Sequence, residues 1–162
     1  VAALLPETWE KRLVDLATTE LRDQDIRWAD YVFVSGMSTQ AAFARRLIDR
    51  CRALGARIVA GGPLFTSLPE QFEDVDHLVL GEAEPILPRF LKDLEEGRAE
   101  HLYRSGGWAD LHGTPAPRWD LVDVTQYALL PLQYSRGCPF QCDFCEVTAL
   151  FGRRLALPLR FS

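Results

Sequence analysis

The chain is poor in methionine, histidine and lysine: Met37 stands alone, with three histidines and only Lys11 and Lys92. It also has no run near the ~18 apolar residues that a membrane-spanning helix needs. Its opening, Val1-Ala2-Ala3-Leu4-Leu5-Pro6, lacks the charged start and the length of a secretory leader. The expected compartment is therefore the reducing cytoplasm, where neighbouring cysteines point to metal or redox chemistry rather than disulfides. Positive charge is not in excess either, since the net charge is -5 and the arginines are scattered. That balance excludes a nucleic-acid surface, which needs a basic stripe to meet phosphate. With its single methionine at 37, the sequence reads as a piece of a longer protein.

What is present is ordinary in bulk and unusual in one place. A hydrophobic share of 48% in 162 residues is enough for one packed core, with the start of a second domain at most. Short apolar runs alternate with amphipathic stretches, the pattern of a parallel α/β sheet. Strands are expected at Arg12–Leu16, Tyr31–Ser35, Ile58–Ala60 and His77–Leu80, with a further short one at Leu102–Arg104. The near-continuous apolar character of Tyr31-Val32-Phe33-Val34 predicts burial on both faces. One helix is expected from Ser38 to about Leu54, with Phe43, Leu47, Ile48, Cys51 and Leu54 inward and Gly55 closing it. Another is expected from Ala83 to about Glu96, with Ile86, Leu87, Phe90, Leu91 and Leu94 inward. Beyond Gly97 the glycines and prolines increase and the text becomes linker-like. A proline-interrupted strand is then expected over Tyr127–Tyr134.

That strand leads into Cys138-Pro139-Phe140-Gln141-Cys142-Asp143-Phe144-Cys145. Three thiols on one short loop, turned by Gly137 and Pro139, can close on a single metal centre. Iron–sulfur clusters are usually held by four thiolates, so a trio leaves one iron open to another ligand. Zinc is the alternative, but structural zinc sites close with four ligands. The remaining candidates are poor, with His101 and His112 in the linker and Cys51 on a core-facing helix position. Phe140 and Phe144 are placed to shield such a centre from water.

The loop resembles the Cys-x-x-x-Cys-x-aromatic-Cys motif of the radical S-adenosylmethionine superfamily, with Phe144 as the aromatic residue. The resemblance implies a 4Fe-4S cluster on Cys138, Cys142 and Cys145, with S-adenosylmethionine on the open iron and its cleavage yielding a 5′-deoxyadenosyl radical. Ser35-Gly36-Met37 and Gly61-Gly62 after successive strands are similar to the Ser-x-Leu and Gly-Gly signatures of cobalamin-binding domains. Met37 replaces the usual leucine. Both segments would lie at carboxyl ends of parallel strands, where open α/β sheets bind ligands. There Ser35 could reach a buried nucleotide tail, and Gly61 and Gly62 would admit a bulky ligand. Ordinary strand-to-helix turns would also account for these glycines. Gly81-Glu82-Ala83-Glu84 resembles a further segment of the same enzymes, although acidic residues also suit a helix N-terminus.

Together these pieces resemble the cobalamin-binding radical S-adenosylmethionine family, of the hopanoid methylase and Mg-protoporphyrin ester cyclase group. The fold implied is a Rossmann or flavodoxin-like α/β domain over residues 1–97 that lacks its first strand. A linker over 98–126 and the start of a partial TIM barrel over 127–162 follow. The activity implied is radical methylation or ring formation on an unactivated carbon. It requires a small-molecule substrate, of lipid or tetrapyrrole type, and an electron donor. A stand-alone cobalamin-binding or sensory module with a vestigial cluster loop is the alternative. Three departures stand out. No Asp-x-His-x-x-Gly motif supplies a lower cobalt ligand, the first strand is missing, and Leu155-Ala156-Leu157-Pro158-Leu159 does not resemble the usual barrel continuation. Without its first strand, the domain is expected to keep a contiguous parallel core at Tyr31, Ile58 and His77, with Arg12–Leu16 displaced.

Overall fold

The computed structural model describes residues 1–130, 133, 135–140 and 142–155. They divide into two compact units, Arg22–Trp108 and a second made of Val1–Leu21 with Ala109–Ser162.

In the first unit four strands form one sheet: β1 (Tyr31–Ser35), β2 (Arg57–Gly61), β3 (His77–Leu80) and β4 (Leu102–Arg104). They lie in sequential order and every neighbouring pair is parallel. Parallel neighbours need a crossover between them. The crossovers carry α2 (Ala41–Ala53), α3 (Pro63–Ser67) and α4 (Ala83–Glu95), after a short α1 (Asp23–Trp28) ahead of the sheet. Ile58, Val59 and Ala60 are buried in succession, as are Leu78, Val79 and Leu80, so the two middle strands are covered on both faces. The contiguous parallel core expected at Tyr31, Ile58 and His77 is present.

Sequence periodicity places the helices well and one side chain badly. In α2 the buried positions are Ala44, Ile48 and Cys51, whereas Phe43 is 49% exposed with the Arg46 guanidinium over its ring. Ile48 and Cys51 are thus buried as expected, and Ala44 takes the buried place expected of Phe43. Burial pushes the Cys51 thiol pKa up, as suits a core position. In α4, Ile86, Leu87, Phe90 and Leu91 are buried as expected. Phe90 meets His77 and Tyr103 edge-on at 5.3 and 5.2 Å. Sequence reading gave no element to Asp23–Trp28. There Asp25 accepts from the Arg22 N–H at 3.1 Å and Ile26 is buried, so a capped, acidic first turn was the available signal.

Arg12–Leu16 forms no strand. Asp15 turns the chain instead, accepting from the Ala17 N–H on its side chain and from the Thr18 and Thr19 N–H groups on its carbonyl. Such local bonds by an aspartate compete with a sheet ladder. Leu13 and Leu16 are left exposed. Tyr127–Leu130 is not a strand either, and the remainder of that expected element includes Pro131, Leu132 and Tyr134, outside the described residues. Most of the divergent tail, from Ala156 onward, also lies outside them.

Two polar contacts hold distant segments together. In the first unit the buried Asp93 carboxylate accepts from the Tyr103 hydroxyl at 2.9 Å and pairs with Arg98, joining α4 to β4. The same hydroxyl accepts from the Glu100 N–H at 3.0 Å. Tyr103→Phe is expected to lower stability by about 1–2 kcal/mol, read from urea denaturation, since it leaves buried polar groups without that partner. In the second unit the Tyr127 hydroxyl donates to Asp15 at 2.5 Å. That bond, ahead of the one from the Ala17 N–H, holds the Asp15 carboxyl below its ordinary value of 3.8. A lowered folded pKa favours the folded state above the ordinary value and loses that contribution as pH falls through the lowered one. In Tyr127→Phe the Asp15 carboxyl should therefore titrate at higher pH in an NMR titration than in the parent chain.

Candidate functional site

Three loops leave the carboxyl ends of β1, β2 and β3, and the adjacent register of those strands brings their ends side by side. Ser35 is opposite Gly61, and Gly61 is opposite Val79. Each glycine at the end of β2 has its own physical cause. A Cβ at Gly61 would stand 2.8 Å from the Val79 carbonyl oxygen, closer than a side chain can approach. Gly62 has φ of +87°, and a Cβ there would collide with the Ser35 hydroxyl. The glycine pair is therefore required by the packing of the strand ends themselves.

Ser35 is exposed at the tip of β1. Met37 is 52% exposed, in the turn that leads into α2. Its N–H is held at 2.8 Å by the Gln40 side-chain oxygen. Past β3, Gly81 has φ of +96° and Glu82 is buried at the N-terminus of α4. The structure thus brings Ser35, Gly61 and Gly62 into one place, with Met37 two residues beyond Ser35. Gln40 carries no role in the sequence-based site, and Glu82 enters it only through the resemblance of Gly81-Glu82-Ala83-Glu84; the side-chain bond of one and the burial of the other emerge only in three dimensions. An exposed hydroxyl above a glycine floor suits a bulky ligand with polar substituents. In this respect the residues fit the cobalamin expected there.

The cysteine loop belongs to the second unit. It opens at Gly137, φ +84°, where a Cβ would run into the Arg154 carbonyl. The Cys138 N–H reaches the Gly152 carbonyl at 3.5 Å and the Cys145 N–H the Cys142 carbonyl at 3.1 Å, with α5 (Val147–Phe151) following. All three thiols are free. As a donor set, three closely spaced thiols fit an iron–sulfur cluster. Among the described residues no three or more His, Cys, Asp or Glu side chains are gathered so as to hold a metal ion. Phe140 and Phe144 are 72% and 93% exposed, so neither shields the loop.

Residues 1–91, which include Ser35, Met37, Gly61, Gly62 and Gly81, match the B12 binding domain. The chain belongs to this family. An uncharacterized methyltransferase of Synechocystis is 38% identical over 156 residues, covering 95% of this chain and 29% of that protein. The hopanoid C-2 methylase of Rhodopseudomonas palustris is 31% identical over 164 residues, covering 98% and 31%. The bacteriochlorophyllide d C-12(1)-methyltransferase of Chlorobaculum tepidum is 23% identical over 159 residues, covering 94% and 35%. The chain thus spans about three tenths of the length of these curated relatives. Of the four parallel strands, β1, β2 and β3 lie within the matched segment, and Ser35-Gly36-Met37, Gly61-Gly62 and Gly81 stand at their carboxyl ends. Among the described residues no helix is long and apolar enough to cross a membrane.

The two kinds of glycine can be separated by substitution. Gly62→Ala should cost about 1–2 kcal/mol in thermal melting, since it combines a positive φ with a clash. Gly106→Ala, where no atom lies within 4 Å of the added carbon, should leave the melting temperature nearly unchanged.

Proposed function

We propose that the chain is the cofactor-binding part of a cobalamin-dependent radical S-adenosylmethionine enzyme that methylates, or closes a ring on, an unactivated carbon. The observation that carries this reading is the meeting of Ser35, Gly61 and Gly62 at adjacent strand ends inside the segment matched to the B12 binding domain. The methyltransferase and methylase names of the relatives support the transfer of a methyl group. The proposed domains are residues 1–97 for cobalamin, 98–126 as linker and 127–162 as the beginning of the radical domain.

Each residue has a part in binding or orientation. The Ser35 hydroxyl would accept or donate a hydrogen bond at the nucleotide tail of cobalamin. Gly61 and Gly62 keep the floor low, and Met37 offers apolar contact beside it. Cys138, Cys142 and Cys145 would hold a 4Fe-4S cluster through three thiolates, leaving one iron for the amino and carboxylate groups of S-adenosylmethionine. Phe144, exposed next to Cys145, would offer its ring to S-adenosylmethionine rather than cover the cluster. When bound, cobalamin supplies a transferable methyl group, while the cluster with S-adenosylmethionine supplies one-electron chemistry. An electron donor in the cytoplasm completes the system. The hopanoid and bacteriochlorophyllide in the relatives' names point to a lipid or tetrapyrrole as the substrate class.

The ungathered thiols favour one second reading, a cobalamin-binding or sensory module whose cysteine loop holds no cluster. Anaerobic reconstitution with iron, sulfide and hydroxocobalamin separates the two. The enzyme reading expects stoichiometric cobalamin and a cluster absorption that S-adenosylmethionine perturbs. Changing all three cysteines to alanine should abolish that absorption and spare cobalamin binding. Ser35→Leu should weaken cobalamin about tenfold or more, equivalent to ~1.4 kcal/mol. Cobalamin binding without any cluster would favour the module, and a chain that retains no cobalamin would overturn both.

A further inference from the structure

Resting on the cobalamin reading, we propose that Thr66 is a positioning residue for that site, tying the loop after β3 to α3. The three loops of the site come from separate stretches of sequence, and no sheet ladder fixes them once the strands end. The short helix α3 does so from both sides. Its Leu64 N–H donates to the Gly36 carbonyl at 3.0 Å, which holds the loop between Ser35 and Met37. On the other side the Gly81 N–H donates to the Thr66 hydroxyl oxygen at 2.9 Å, which holds the loop between β3 and α4. Leu64 and Phe65 are fully buried between these two contacts, so α3 is itself fixed.

The Gly81 N–H needs this acceptor. Gly81 follows the last residue of β3, and its N–H takes a side-chain acceptor, the Thr66 hydroxyl. A partly buried backbone donor without a partner is costly. A threonine late in a short helix commonly bonds back to its own helix; here its oxygen serves a different loop. The next residue is Glu82, buried where α4 begins, so the direction of the chain at Gly81 also sets where that carboxylate stands. Through Thr66 and Leu64, α3 fixes the Ser35 and Gly81 loops on either side of the Gly61–Gly62 floor. A site fixed in advance spares the ligand the cost of ordering loops.

The test uses the full chain with Thr66→Val, which keeps the shape and removes the hydroxyl, and Thr66→Ser, which restores it. Thr66→Ala serves if valine does not fold. Two readouts are taken: amide exchange at Gly81 by NMR, and hydroxocobalamin affinity from its visible absorption. The proposal expects faster exchange at Gly81 and about tenfold weaker cobalamin binding in Thr66→Val, both recovered in Thr66→Ser. Unchanged Gly81 exchange, or faster exchange with parent-like affinity, overturns the positioning role while leaving the cobalamin reading intact. A parent chain that takes up no cobalamin overturns that reading and the inference with it, whatever Gly81 does.

Discussion

The carboxyl ends of β1, β2 and β3 depend on one close approach, that of the Gly61 backbone to the Val79 carbonyl. The missing side chain lets β2 stay paired with β3 to its own last residue, Gly61 opposite Val79, with Ser35 drawn alongside. The left-handed turn at Gly62 then starts α3 at once, and Pro63 suits the first position of that helix. From α3 the constraint passes to both neighbouring loops through Leu64 and Thr66. Burial of Leu64 and Phe65 keeps that short helix in place, since an isolated helix of this length would have no stability of its own.

The second unit is built differently. Residues 109–130 contain short 3-10 turns, two of them capped by their own aspartates, Asp110 and Asp123. The Asp15–Tyr127 bond ties the N-terminal segment to the end of this stretch. Local bonds and a long-range polar contact between its two segments are thus among the interactions of this unit. The cysteine loop follows within the same unit, its position set by Gly137 and by backbone bonds to Gly152 and within the loop. A loop of that kind offers donors, whereas the strand ends of the first unit offer a shaped surface.

The middle of the fold was legible because period and length agree there. His77–Leu80 and the helix from Ala83 have the burial that their apolar spacing demands. In Tyr31–Ser35, first in the sheet order with β2 as its neighbour, Val34 alone is buried, so the burial on both faces expected there is not found. Phe43 shows where periodicity fails, since its neighbour Ala44 takes the buried place on the face that Ile48 and Cys51 share. Arg12–Leu16 failed for another reason. Leu13, Val14 and Leu16 are apolar, but Asp15 bonds its own backbone at Ala17, Thr18 and Thr19.

The sequence by itself determined the parallel α/β order, the serine and glycine signatures and the spacing of the three cysteines, because each is written in consecutive residues. Only the tertiary structure decided that Gly61 is needed for its nearness to Val79, Gly62 for the hydroxyl of Ser35, and Thr66 for the amide of Gly81. These are distances between residues far apart along the chain, and they exist only once the strands lie side by side.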